Sequence, residues 1–147
     1  MEILGARSLL AGLEEAGLPW AVVTSGTRPL VAGWLKILGL AEPRCLVTAE
    51  DVEKGKPDPA CYVLGKERLG IQDKPLVVED APAGIRAGKA AGFEVLALAT
   101  THKTEELVDA GADWIVRDLE SVSLEAGEEG LGLVRVSFHN TLQLKIE

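Results

Sequence analysis

Leu76-Val77-Val78-Glu79-Asp80-Ala81-Pro82 sets two adjacent carboxylates directly after a short apolar run and just ahead of a proline. An apolar run without polar alternation suits a parallel strand covered on both faces. Pro82 suits the first turn of a helix, where its missing N–H costs nothing. The small residues Ala83, Gly84, Ala87, Gly88 and Ala91 then form a face that can lie close against a sheet, and Gly92 marks the stop. Strand, acidic turn and helix together predict one unit of a parallel α/β sheet.

Working outward, the same pattern repeats. Ala6, Leu9, Leu10, Leu13 and Ala16 share a helical face that ends at Gly17. Trp20-Ala21-Val22-Val23 is a second apolar run, followed by the polar turn Thr24-Ser25-Gly26-Thr27. A helix with Pro29 in its first turn and Leu30, Trp34, Leu35 and Leu38 on its apolar side leads to Gly39. Cys45 to Thr48 predicts a strand, and Ala49 to Pro59 a charged loop. Asp58-Pro59 reads as an N-cap and first helical residue, with the helix running to about Gly70. Val95 to Ala99 and Trp114 to Val116 complete the strands, with a helix near Thr104 to Ala110 between them. Glu120 to Gly130 reads as a loop, and Val134 to Phe138 as an edge strand. Alternation of this kind implies right-handed crossovers and one parallel sheet, with ligands bound beyond its carboxyl edge.

Composition narrows the classes. The chain has 147 residues, 47% of them apolar and 26% charged, in keeping with one globular domain. The net charge of −8, with no basic stripe, disfavours nucleic acid. No apolar run approaches the roughly 20 residues that cross a bilayer, and Met1 to Leu10 lacks the form of a signal peptide. A cytoplasmic protein without membrane contact is the expectation. Cys45 and Cys61, far from any C-x-x-C spacing, read as buried free thiols. His102 and His139 are isolated and receive no role.

Three clusters at predicted strand ends carry the chemistry. Ser25 and Gly26, a hydroxyl and close-approaching backbone amides, suit a phosphate cradle. Lys56, beside Lys54 in a loop stiffened by Pro57 and Pro59, can offset the charge of a phosphate and of clustered carboxylates. Asp80 and Glu79 offer oxygen ligands suited to magnesium. Each also has an ordinary reading, as a polar turn, a solvated lysine or a helix cap.

The order of these segments resembles the second, third and fourth motifs of the haloacid dehalogenase superfamily. Trp20-Ala-Val-Val-Thr-Ser-Gly-Thr-Arg28, Lys54-Gly-Lys-Pro-Asp-Pro59, Val78-Glu-Asp-Ala-Pro-Ala-Gly-Ile85 and Ala87-Gly-Lys-Ala-Ala-Gly92 are similar to the fungal glycerol-phosphate and 2-deoxyglucose-6-phosphate phosphatases, over roughly residues 5–123. The resemblance implies a three-layer Rossmann-like core and magnesium-dependent hydrolysis of a small sugar or polyol phosphate through an aspartyl-phosphate. It implies that Ser25 and Gly26 hold the phosphoryl oxygens, Lys56 offsets negative charge, Asp80 ligates magnesium and Glu79 helps hold the metal or its waters.

It also implies parts that are missing. No Asp-x-Asp segment follows an apolar strand upstream of Ser25, and Asp51, Asp109, Asp113 and Asp118 do not fit. The expectation is a truncated core, 1–123, with a loop and edge strand over 124–147. It would lack the first strand, its two catalytic aspartates and the helical cap, as a shortened product or an incomplete gene model. The strands ending at Val23 and Val78 would then either lie unpaired or pair with each other. A non-catalytic phosphate-binding or interaction module is the alternative.

Overall fold

The computed structural model describes residues 3–40, 42–126, 134–139 and 141–143. Helices and strands alternate as the hydrophobic pattern implies. They are α1 (Ala6–Glu15), β1 (Val22–Val23), α2 (Arg28–Leu38), β2 (Leu46–Val47), α3 (Ala60–Leu69), β3 (Leu76–Glu79), α4 (Pro82–Ala90), β4 (Glu94–Leu98), α5 (Thr104–Asp109) and β5 (Trp114–Val116). Short 3-10 turns occupy Ala49–Asp51 and Leu119–Ser121. The tail adds β6 (Val122–Ala126), β7 (Val134–Phe138) and β8 (Thr141–Gln143). Pro59 is the cap of α3 rather than its first residue, and the Asp58 carboxylate accepts the Ala60 N–H at 3.0 Å.

The main sheet runs β3-β4-β5-β8, with β3, β4 and β5 parallel and β8 antiparallel on β5. Strand β4 is buried on both faces, so Val95 and Ala97 join one core while Leu96 and Leu98 join another. The larger core lies under α3, α4 and α5 and contains Val77, Ile85, Leu107 and Ile115. Gly88 makes the closeness of α4 necessary, because a Cβ there would sit 2.8 Å from Val95 Cγ2. On the opposite face, Leu96, Leu98 and Val116 are covered by Ile3, Leu119, Val122 and Phe138.

One expectation needs correction. The stretch read as a loop from Glu120 contains β6, paired antiparallel with β7 from Val122↔Phe138 onward. Val122 and Leu124 alternate with Ser123 and Glu125, which is strand periodicity beneath an acidic composition. Residues 127–130 of that expected loop lie outside the described residues, and the division expected at 123/124 falls inside β6. The apolar side of α2 is only partly covered: Leu35 and Leu38 are half-buried, while Leu30 and Trp34 are exposed.

The sheet is in two pieces at the point where a strand was expected to be missing. Strands β1 and β2 form their own parallel pair, and β1 does not pair with β3. Leu76 and Val78 on β3 are 36% and 41% exposed. Both pieces rest on the same helix layer, since α3 touches β1, β2 and α4. Gly65 permits this, because a Cβ there would meet Val23 Cγ2 at 3.1 Å.

Candidate functional site

The carboxyl ends of β1 and β3 open on the same side, and a lysine joins them. Lys56 leaves the loop before α3 and donates to the carbonyl oxygen of Val23 at 3.2 Å. The same ammonium pairs with Glu79 Oε1. Lysine and glutamate side chains are 12% and 8% exposed, so the pair is shielded from solvent. Lys54 is exposed and takes no part.

Glu79 is held from every side. Tyr62 Oη donates to Oε1 at 2.6 Å, and the N–H groups of Asp80 and Ala81 donate to Oε2 at 3.1 and 3.3 Å. Gly84 leaves the room, since a Cβ there would stand 2.0 Å from the Glu79 carboxylate. The Tyr62 ring also lies 5.0 Å from the Lys56 ammonium. Burial first, and the Glu79 charge second, push the Tyr62 phenol far above its ordinary range.

Asp80 is half-buried and differently placed. Its Oδ2 accepts the Thr101 hydroxyl at 2.7 Å, and Oδ1 has no partner among the described residues. Its backbone carbonyl lies 3.1 Å from His102 Nδ1. Thr101 and His102 follow β4 and so share the carboxyl edge with β3. His102 is therefore not isolated, contrary to its reading from sequence. The polar cluster Thr100-Thr101-His102 after an apolar strand is the same signal that marked Ser25 and Asp80.

On the β1 side, Ser25 is exposed and its hydroxyl is free of protein partners among the described residues. The Gly26 N–H donates to Thr24 Oγ1 at 3.0 Å. At the amino end of α2 the Glu50 carboxylate accepts the Arg28 N–H at 3.0 and 3.1 Å. That bond is the main reason the Glu50 carboxyl titrates below its ordinary value. Asp51 accepts from Arg68, from the Thr48 N–H and hydroxyl, and from Arg28. This set, unread from the sequence, fixes the loop leading to Lys56, and Ala49 N–H donates to Gly26 O at 3.0 Å to tie that loop to the Ser25 turn.

A haloacid dehalogenase-like hydrolase model matches residues 3–92. This chain belongs to that family. It is 42% identical over 127 residues to hexitol phosphatase A of Escherichia coli, covering 86% of this chain and 58% of that protein. It is 42% identical over 133 residues to glycerol-1-phosphate phosphohydrolase 2 of Saccharomyces cerevisiae, covering 83% of this chain and 52% of that protein. Among solved structures, a hydrolase from Pseudomonas syringae superposes with a TM-score of 0.73 at 30% identity, over 80% of this chain and 55% of that one. The chain thus spans little more than half the length of these relatives.

In this member of the haloacid dehalogenase-like family, Lys56 bridges the end of β1, two residues before Ser25, to Glu79 at the end of β3, which Asp80 follows. Among the described residues, no three His, Cys, Asp or Glu side chains gather as a ready metal cage. One open carboxylate oxygen, Asp80 Oδ1, is a hard donor of the type magnesium takes, since magnesium uses one or two carboxylates and fills its remaining positions with water and phosphate oxygens. Cys45 and Cys61 are buried and unbridged, as expected, and burial raises both thiols above their ordinary range. No helix of the described residues is long and apolar enough to cross a membrane.

Proposed function

We propose that this chain carries the phosphate- and magnesium-binding side of a phosphomonoester hydrolase for a small sugar or polyol phosphate. The relatives named as hexitol and glycerol-1-phosphate phosphatases support that substrate class. The observation that carries the reading is the Lys56 ammonium set between the end of β1 and Glu79 at the end of β3. In this reading Lys56, Ser25 and Asp80 share one small anion.

In this reading Ser25 offers its free hydroxyl, and the Gly26 amide is recruited when it exchanges Thr24 Oγ1 for a phosphoryl oxygen. Lys56 offsets negative charge on the phosphoryl group. Asp80 would hold magnesium, and Glu79, which orients Lys56, would help support the metal or its waters. Bound there, magnesium supplies positive charge beside a phosphoryl group. The attacking and acid–base aspartates have no counterpart among the 147 residues, so the reading takes them from outside this sequence. The setting is cytoplasmic, without nucleic acid or membrane.

The lack of an Asp-x-Asp segment upstream of Ser25, and the separation of β1 from β3 into different sheets, favour a second reading, a phosphate-binding module without turnover. Hydrolysis of p-nitrophenyl phosphate by the purified chain, with and without magnesium, separates the two. Magnesium-dependent turnover lost in Asp80→Ala supports the hydrolase. Calorimetric binding of inorganic phosphate, weakened by Lys56→Met and without turnover, supports the module. Neither turnover nor phosphate binding overturns both.

A further inference from the structure

Asp80 differs from Glu79 in its support. Glu79 takes four donors from two side chains and two backbone amides. Asp80 takes one side-chain donor among the described residues, the hydroxyl of Thr101 at 2.7 Å. A carboxylate that is half-buried and singly held keeps its orientation only while that partner is in place. Metal-ligating groups depend on such supports for geometry and affinity.

The supporting loop is itself anchored. The Ala99 N–H donates to Val116 O at 2.9 Å, fixing its start on the sheet. The Lys103 N–H donates to the Glu106 carboxylate at 3.0 Å, fixing its end on α5. Between them, His102 Nδ1 lies 3.1 Å from the Asp80 carbonyl and 3.1 Å from Thr101 Oγ1. A carbonyl oxygen only accepts, so this contact is a hydrogen bond in the Nδ1–H form of His102. The Thr101 hydroxyl is thereby left to give its single proton to Asp80 Oδ2.

We propose that Thr101 and His102 are positioning residues for Asp80: together they lock its side chain and backbone so that Oδ1 points open toward a divalent cation. The proposal rests on the reading of Asp80 as a metal ligand. It assigns two residues of the loop after β4 a positioning role in the site.

Two measurements test it. Long-range nitrogen–proton NMR on the full chain reports the tautomer of neutral His102. The Nδ1–H form is expected, and the Nε2–H form overturns the proposal. Manganese affinity, read by electron paramagnetic resonance, is then compared across variants. Asp80→Ala is expected to abolish binding, Thr101→Val to weaken it about tenfold, and Thr101→Ser to restore it. His102→Ala is expected to weaken binding, with His102→Asn recovering it through its amide donor. Binding lost in Asp80→Ala but unchanged in Thr101→Val overturns this proposal and leaves the metal reading intact. Binding unchanged in Asp80→Ala, or undetectable in the wild type, overturns the metal reading and the proposal with it.

Discussion

The ammonium of Lys56 is paired with the carboxylate of Glu79 across the break between two pieces of sheet. Lys56 also caps the carbonyl of Val23, a residue of β1. The N–H groups on either side of Val23, those of Val22 and Thr24, point toward β2. By the alternation of a strand, Val23 faces the open side, and its carbonyl meets a lysine instead of a neighbouring strand. A group placed for chemistry also satisfies a backbone acceptor.

Removing one partner of this shielded pair strands the other charge. Lys56→Met is expected to destabilise the fold by about 3 kcal/mol, since Glu79 loses its cation while remaining buried. Lys56→Met combined with Glu79→Gln is expected to cost less than the sum of the two single changes. Urea unfolding of the four proteins checks this, and strict additivity would show that the two residues are uncoupled.

Tyr62 is the sole tyrosine, so its ionisation can be followed without overlap. Its folded pKa is raised, by burial and by Glu79. The stability it contributes is therefore full below about pH 10, where the unfolded chain's phenol titrates, and declines as the pH rises beyond that. Phenolate absorbance is expected to appear only together with loss of helical circular dichroism. Tyr62→Phe is expected to cost about 2 kcal/mol, the usual worth of a hydrogen bond to a charged group.

Asp51 titrates well below the ordinary carboxylate range, chiefly through its bond from Arg68 and then the Thr48 N–H. Its stabilising effect is present above the unfolded carboxyl's pKa near 4 and is lost as the pH falls toward the folded value. Asp51→Asn is expected to lower the melting temperature at pH 7. The gap from wild type should narrow steadily below pH 4, and a gap independent of pH would contradict the ionic account.

Gly84→Ala would drive a methyl group into the Glu79 carboxylate. Overpacking of this kind costs about 1–3 kcal/mol. Displacement of Glu79 would also release Lys56, so phosphate affinity measured by calorimetry should fall along with the melting temperature. Gly33→Ala, on the open surface of α2, serves as the control and should change neither.

Cys45 and Cys61 are both buried, with thiols that ionise less readily than usual. Ellman's reagent is expected to label neither in the native chain and both in guanidinium. Rapid native labelling would place at least one of them on an accessible surface.

Much of this molecule is written in short-range pattern. The apolar runs at Val22, Leu76 and Val95, the prolines at positions 29 and 82, and the glycines at positions 39 and 92 mark strands and helix ends by local rules of period and backbone freedom. Polar clusters just past apolar runs located Ser25, Asp80 and Glu79, because parallel strands expose those ends together. The same rule applied to Thr100-Thr101-His102 would have found the partners of Asp80. Strand β6 was hidden because the acidic stretch around it outweighed an alternation only five residues long.

Other features have no local signature. Tyr62 meets Glu79 across 17 positions of chain, and Lys56 meets Val23 across 33. Such pairings exist only once α3 is laid under both pieces of sheet, which depends on the contact between Gly65 and Val23. The sequence by itself determined the element order, the parallel α/β class and which residues stand at the strand ends, because side-chain period and backbone freedom act between near neighbours. Tertiary structure alone decided that Glu79 is clamped, that Asp80 leans on Thr101, and that β1 and β3 stay apart. Hydrogen-bond partners and burial belong to groups brought together from distant parts of the chain.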